Sequence, residues 1–134
     1  MNVLIVGCGR VGAETARTLS AEGHNVTVLD KHEHSFQRLG TDFNGATLVG
    51  NGIDMATLRL AGAENTDAAA VVTNGDNTNV VAAQVLQKIF KIPKVMTRVY
   101  DPRRAYIYKQ MGLDVVSGTT LFAALLRDKM AEVK

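Results

Sequence analysis

The first twelve residues constrain the fold of this chain more than any other segment. Four apolar residues, Val3 to Val6, lead directly into three glycines, Gly7, Gly9 and Gly12, spaced as G-x-G-x-x-G. An unbroken apolar run is typical of a central parallel strand, and the small apolar residues after Gly12 recur at helical spacing. The pattern predicts a strand, a tight turn and a helix whose first N–H groups are free to bind phosphate.

Asp30 makes this glycine loop a candidate adenosine site, whereas glycines alone also occur in ordinary turns. It ends a second apolar run, where a carboxylate accepts hydrogen bonds from the ribose hydroxyls of adenosine. The same charge would repel a 2′-phosphate, which disfavours NADP. An Asp that caps the next helix, or that is only solvated, is the alternative, but it leaves the glycine loop unexplained.

Composition indicates one compact domain that is not exported. The chain has 134 residues, 46% of them hydrophobic, and a single cysteine. No apolar stretch approaches the ~20 residues that span a bilayer, and no leader-like segment opens the chain. Its 15 basic and 13 acidic residues are well mixed, with a net charge of +2, so we expect no nucleic-acid partner.

Strand-like and helix-like segments alternate along the chain, which predicts an α/β fold with a doubly wound parallel sheet. Right-handed crossovers would give six strands in the Rossmann-type order 3-2-1-4-5-6, with the switch point beside the glycine loop. Strands are predicted at 2–6, 25–30, 46–49, 68–73, 94–98 and 114–117. Helices are predicted at 11–22, 33–39, 54–61, 77–90, 103–111 and from about 120. We expect a nucleotide-binding domain at 1–118 and a C-terminal amphipathic helix at 119–134.

The carboxyl ends of strands three, four and five should line the same crevice as the glycine loop. Asn51, after strand three, has an amide suited to an adenine edge, but a plain turn amide is equally compatible with its position. After strand four, Asp76 is predicted to cap the next helix, and Thr73 and Asn79 are candidates to contact phosphate or a second ribose. The full set of predicted contacts is Gly7, Cys8, Gly9, Arg10, Val11, Gly12, Asp30, Lys31, Asn51, Gly52, Thr73, Asn74, Asn79 and Arg98.

Two arginines of this set could reach phosphate groups. Arg10 lies inside the glycine motif at the start of the helix, where the alternative is a solvent-facing side chain. Arg98 ends strand five, and a salt bridge with Asp101 or Asp114 would account for it equally well.

The histidines and the cysteine give no sign of catalysis or of a metal site. His24, His32 and His34 are expected to be solvated, and their spacing suits zinc poorly. Cys8, near a helix N-terminus, could have a lowered pKa suited to redox sensing, or it could simply be a small residue tolerated in the loop.

Over nearly its whole length the chain resembles the nucleotide-binding N-terminal domain of regulators of potassium conductance, also called the TrkA-N domain, of Trk- and Ktr-type potassium uptake systems. The blocks that carry the resemblance are Gly7-Cys8-Gly9-Arg10-Val11-Gly12, Gly23-His24-Asn25-Val26-Thr27-Val28-Leu29-Asp30, Leu60-Ala61-Gly62-Ala63, Asp76-Asn77-Thr78-Asn79, Arg98-Val99-Tyr100-Asp101-Pro102 and Met111-Gly112-Leu113-Asp114-Val115-Val116. Asn51 and Asn77 stand where the family usually has carboxylates. Because hard divalent cations prefer carboxylate oxygens, we expect no metal site at Asn51.

The resemblance implies a regulatory module and not an enzyme. It implies binding of ATP, ADP, AMP or NAD(H), assembly into a dimer or an octameric ring, and control of a membrane potassium transporter or channel from the cytoplasmic face of the plasma membrane. It places phosphates at the glycines, the adenosine ribose at Asp30, adenine near Asn51, and the polyphosphate or nicotinamide end near Thr73, Arg10 and Arg98.

An NAD-dependent oxidoreductase, or its cofactor-binding fragment, is the alternative, since this fold serves many functions. Such an enzyme needs a substrate pocket and usually a proton donor beside the nicotinamide, which commonly come from a second domain.

The C-terminal segment carries a broad apolar face. Either it packs wholly on its own sheet, or part of it contacts a neighbouring protomer or another domain; we favour the second.

Overall fold

Six parallel strands form one sheet in the order β3-β2-β1-β4-β5-β6, which confirms the predicted Rossmann-type fold. The computed structural model describes residues 1–133. The strands are β1 (Asn2–Val6), β2 (Asn25–Asp30), β3 (Ala46–Val49), β4 (Ala68–Val71), β5 (Lys94–Arg98) and β6 (Asp114–Val116).

Helices connect successive strands. They are α1 (Arg10–Ala21), α2 (Met55–Leu60), α3 (Asp76–Gln84), α4 (Pro102–Gln110) and α5 (Gly118–Ala131), with 3₁₀ helices at Glu33–Leu39 and Ala63–Asn65. Two predicted helices differ in type: the segment after β2 is a 3₁₀ helix, and the one after β4 changes to a π-helical turn at Val85–Ile89.

The fourth strand ends at Val71, two residues earlier than predicted. The N–H of Thr73 donates to the side-chain oxygen of Asn79 at 2.9 Å, so it is unavailable to a neighbouring strand. The Asn79 side chain therefore takes the place of a backbone hydrogen bond between strands at the point where the chain leaves the sheet.

The sheet is covered on both faces, as the apolar run at the start of the chain requires. Leu4 and Val6 belong to one buried cluster, whereas Val3 and Ile5 belong to another. Alternate residues of one strand thus enter opposite cores, which is the doubly wound arrangement.

The central strand β1 lies between β2 and β4, with Val6 in register with both Leu29 and Val71. On one side of β1 lie β2 and β3, and on the other side lie β4, β5 and β6. The chain therefore builds the sheet outward from β1 in one direction first and then in the other. A crevice therefore opens at the carboxyl end of β1, directly above the glycine loop.

The C-terminal helix α5 has no buried residue. Leu121, Phe122, Leu125, Leu126 and Met130 are all exposed, between 43% and 69%. The alternative that this helix packs wholly on its own sheet is therefore wrong. Among the helices at residues 1–133, none combines the length and apolar character that crossing a bilayer needs.

Candidate nucleotide-binding site

A crevice of about 440 Å³ lies at the carboxyl edge of the sheet, between the glycine loop, the end of β2 and the segments that follow β3 and β4. Eight of the predicted contact residues line it: Gly7, Cys8, Gly9, Asp30, Lys31, Gly52, Thr73 and Asn74. The volume is in the usual range of small-molecule sites.

The three glycines of the loop occupy distinct environments. Gly7 has φ +108°, and a Cβ there would lie 2.8 Å from the carbonyl oxygen of Val72. A Cβ on Gly12 would lie 1.9 Å from the carbonyl oxygen of Gly7, so α1 approaches β1 through this glycine. A Cβ on Gly9 would meet no atom within 4 Å, because Gly9 faces open space in the crevice. The loop thus combines two tight contacts with one open position.

Asp30 is bound to the glycine loop itself. Its carboxylate accepts the backbone N–H of Cys8 at 2.7 Å and that of His32 at 2.8 Å. A carboxylate can accept more than two hydrogen bonds, so these contacts leave acceptor capacity for ribose hydroxyls. The residue therefore holds the loop against β2 and lines the crevice at the same time.

Sequence reasoning missed a group of side chains on the 3₁₀ helix Glu33–Leu39 and just before it. Arg38, His32 and His34 line the crevice, and Arg38 donates to the carbonyl oxygen of Cys8 at 3.3 Å. The histidines are exposed, as expected, but face the candidate site. His24 lies elsewhere, 3.1 Å from the N-terminal amine. No sequence signal marks Arg38, because its position depends on how the 3₁₀ helix packs against the loop.

Cys8 is fully buried, and its thiol donates to the carbonyl oxygen of Ser35 at 3.3 Å. Burial raises the pKa of the Cys8 thiol, and the charge of Asp30 raises it further, while Arg38 opposes this shift. The prediction of a lowered Cys8 pKa, which redox sensing would require, is therefore wrong. The small-residue interpretation agrees with the packing.

Asn79 is also fully buried, and both ends of its amide are used. Its oxygen accepts the N–H and the hydroxyl of Thr73, and its nitrogen donates to the carbonyl oxygens of Thr73 and Arg98. The side chain does not line the crevice in this structure. It fixes Thr73, which does.

Arg98 clamps the end of β4 and is not among the residues that line the crevice. Its guanidinium donates to the carbonyl oxygens of Val72 and Thr73 at 2.8 and 2.9 Å and lies 4.6 Å from the centre of the Tyr100 ring. The alternative salt bridges with Asp101 or Asp114 are not formed within residues 1–133. Its Nε is buried, with no hydrogen-bond partner in the described part of the chain.

The predicted cap by Asp76 is wrong, because Gly75 occupies the N-cap position of α3. The carboxylate of Asp76 instead accepts the backbone N–H groups of Tyr100 and Asp101 at 2.8 and 3.4 Å, linking α3 to the segment after β5. The Asp76 carboxylate thus makes a tertiary contact instead of capping its own helix.

Asn51, Arg10 and Val11 are exposed and lie outside the lining of the crevice. The side-chain oxygen of Asn51 accepts the N–H of Ile53 at 3.2 Å, which is the turn role that its sequence position allowed. Arg10 begins α1 directly after Gly9, so its side chain starts beside the open position of the loop.

Comparison with known proteins identifies the family of this chain and several relatives. The model of the TrkA-N domain family matches residues 3–118. The Trk system potassium uptake protein TrkA of Streptomyces coelicolor is 45% identical over 117 residues, which are 87% of this chain and 52% of that protein. A TrkA homolog of Methanothermobacter thermautotrophicus is 32% identical over 97% of this chain and 60% of its own length. The chain thus spans about half the length of these relatives.

Solved structures share the fold. The TrkA-N domain of the Escherichia coli inner membrane protein ybaL superposes with a TM-score of 0.83 at 17% identity, over 95% of this chain and 94% of that one. The Kef CTD of Shewanella denitrificans in its AMP-bound form gives 0.81 at 24% identity, over 94% and 77%. The family match over residues 3–118 and the 45% identity to a TrkA protein show that the chain belongs to the TrkA-N domain family.

Proposed function

We propose that this chain binds an adenine nucleotide in the crevice and thereby regulates a membrane potassium transporter or channel. The observation that carries the proposal is the open position at Gly9 beside Asp30, in a chain that belongs to the TrkA-N family. Backbone N–H groups at the start of α1 would bind phosphate, and the free acceptor capacity of Asp30 would bind the ribose.

The ligand class follows from the site and from the relatives. Structures that share this fold include an AMP-bound Kef CTD and GsuK proteins bound to NAD and to ADP. ATP, ADP, AMP and NAD(H) all contain the adenosine 5′-phosphate that the crevice suits. NADP carries an additional 2′-phosphate that the Asp30 carboxylate would repel, so we expect it to bind more weakly.

Within the site, we assign different roles to the predicted residues. The glycines Gly7, Gly9 and Gly12, with Cys8 and Val11, form the phosphate loop through their backbone, and Arg10 reaches outward from it. Lys31, Gly52 and Asn74 contact the ligand from the crevice walls, and Asn51 approaches adenine from the turn after β3. Asn79 and Arg98 act through Thr73, which they hold in place.

Regulation, and not catalysis, is the function that this site supports. TrkA relatives belong to a potassium uptake system, and binding alone can shift an equilibrium between two arrangements of neighbouring domains. A ligand does this only if it prefers one arrangement, and a few kcal/mol of preference suffices.

The proposed partners are a membrane-embedded potassium transporter or channel subunit and further copies of this chain. The exposed apolar residues of α5 would form the contact between copies, in a dimer or an octameric ring. The assembly would lie in the cytoplasm, at the inner face of the plasma membrane, where its transporter partner holds it.

Isothermal titration of ATP, ADP, AMP, NADH and NADPH into the purified chain tests the binding proposal. We expect the first four to bind and NADPH to bind at least about tenfold more weakly, as one desolvated charge repulsion would cause. Asp30→Asn should weaken ATP, ADP, AMP and NADH and narrow their advantage over NADPH, because the charge that repels the 2′-phosphate is gone. Asp114→Asn, which makes the same charge change at the exposed edge strand β6, should not. Absence of heat with all five ligands would refute the proposal.

A further inference from the structure

One side of the crevice is basic. Lys31, His32, His34 and Arg38, which we call the basic wall, all line the crevice and are all exposed. Lys31 and His32 connect β2 to the 3₁₀ helix Glu33–Leu39, and His34 and Arg38 lie on that helix. The chain thus brings two permanent cations and two imidazoles to one side of the site.

Among residues 1–133, those that line the other sides of the crevice include no charged side chain. The segment after β4 contributes Thr73, Asn74, Gly75 and Thr78, and the segment after β3 contributes glycines. Any strong preference for an anion must therefore come from backbone N–H groups at the glycine loop or from the basic wall.

Two acidic groups lie near the wall, and only one of them lines the crevice. Asp30 faces it from β2, but its carboxylate already accepts two backbone N–H groups. Glu33 begins the same 3₁₀ helix and is outside the lining. The Cys8 thiol faces the wall from the glycine loop in its neutral form, since burial raises its pKa.

Arg38 is the member of the wall that the structure places next to the glycine loop. Its Nη1 donates to the carbonyl oxygen of Cys8 at 3.3 Å, one residue before the open position at Gly9. Only part of the donor capacity of a guanidinium is used by one such bond. The remaining N–H groups are available beside the place where a phosphate would enter the loop.

The histidines form a pair whose ring centres are 5.7 Å apart. An imidazole ring carries an N–H that can donate a hydrogen bond to a phosphate oxygen. The pair therefore adds hydrogen-bond donors to the two permanent cations of the basic wall.

We propose that the basic wall binds the 5′-phosphoryl groups of the adenine nucleotide together with the glycine loop. The proposal rests on the proposed function and deepens it, because it assigns the preference for phosphorylated adenosine to residues outside the glycine motif. It makes Arg38 the principal ligand-binding residue of the wall, with His32 and His34 as further hydrogen-bond donors.

The test compares adenosine with ADP-ribose by calorimetric titration. The two ligands share adenosine, and ADP-ribose adds a charged diphosphate and a second ribose. Wild type should bind ADP-ribose at least about tenfold more tightly than adenosine.

Variants assign the effect to the wall. Arg38→Gln should weaken ADP-ribose at least about tenfold and adenosine less than about twofold, and Arg38→Lys should restore part of the loss. The double variant His32→Asn/His34→Asn should weaken ADP-ribose about threefold to tenfold and adenosine less than about twofold. His24→Asn, which changes a histidine outside the crevice, should change neither affinity.

Failure of this proposal differs from failure of the proposed function. If wild type binds ADP-ribose but Arg38→Gln weakens adenosine equally, Arg38 only supports the loop and the proposal is wrong. An unchanged affinity for ADP-ribose in both Arg38→Gln and the double histidine variant also overturns it. If wild type binds neither ligand, the proposal of nucleotide binding is wrong, and the proposed role of the basic wall is wrong with it.

Discussion

Replacing Gly12 by alanine should destabilise the fold because it forces α1 away from β1. The new Cβ would lie 1.9 Å from the carbonyl oxygen of Gly7. An ordinary carbon–oxygen contact is about 3.3 Å, so one backbone segment must move by roughly 1.4 Å. A rotamer change cannot relieve the clash, since both groups belong to the backbone or are fixed to it.

The magnitude follows from two opposing effects. Alanine inside a helix gains about 1 kcal/mol over glycine. Overpacking costs about 1–3 kcal/mol or more, and a shifted α1 also loses packing of Ala13 and Ala16, which are 3% and 0% exposed. We expect a net loss of about 1–3 kcal/mol in the free energy of unfolding.

Gly9→Ala is the matched control because its Cβ meets no protein atom within 4 Å. Its free energy of unfolding should stay within about 0.5 kcal/mol of wild type. The added methyl group would nevertheless occupy the place where a phosphate approaches the loop, so its affinity for ADP should fall about tenfold or more.

Urea unfolding followed by circular dichroism measures both stabilities, and calorimetric titration of ADP measures the affinity. The combination separates the two glycines: Gly12→Ala loses stability, and Gly9→Ala loses binding. If Gly12→Ala were as stable as wild type, the close approach of α1 to β1 would not be rigid. If Gly9→Ala bound ADP normally, phosphate would not lie over Gly9.

Three further variants test other contacts. Asn79→Ala should lower the free energy of unfolding by about 2–4 kcal/mol in urea titrations, because it leaves backbone groups of Thr73 and Arg98 unpaired. Asn74→Ala, at an exposed position, should change it by less than about 0.5 kcal/mol. In the folded chain the pKa of the Cys8 thiol is raised, so above pH ~8.5, where an unfolded thiol ionises, the free energy of unfolding should fall as the pH rises. Cys8→Ala should reduce this alkaline decline in urea titrations. An unchanged slope would contradict the assignment of the decline to Cys8. Leu125→Lys on α5 should leave the unfolding free energy within about 0.5 kcal/mol, since the side chain is 49% exposed, but lower the mass measured by analytical ultracentrifugation if α5 joins copies of the chain.

Local patterns predicted the sheet well because each of its strands is marked by its own residues. The apolar runs at 2–6, 25–30, 46–49 and 94–98 coincide with observed strands, and their alternation with helices determined the order. Helix ends were less predictable. Asp76 has the ordinary signature of a cap, yet its carboxylate serves backbone groups 24 and 25 residues away.

The candidate site was predictable only where the backbone determines it. Gly7, Gly9 and Asp30 line the crevice because the strand–turn–helix geometry brings them there. Arg38 and Asn79 could not be assigned, since their roles depend on tertiary contacts with Cys8 and with the end of β4. Sequence spacing carries no information about such contacts.

The residues in and around the crevice fall into two groups by their contacts. Some would touch a ligand, and others hold the segments that form the crevice walls. Asn79 and Arg98 bind backbone carbonyls at the end of β4, so their loss should reduce stability first and affinity only as a consequence. Arg38 is exposed and makes one contact to the loop, so its loss should reduce affinity first. Asp30 belongs to both groups, because the same carboxylate that fixes Cys8 also faces the ligand space. Binding at Asp30 would therefore stiffen the connection between the glycine loop and β2.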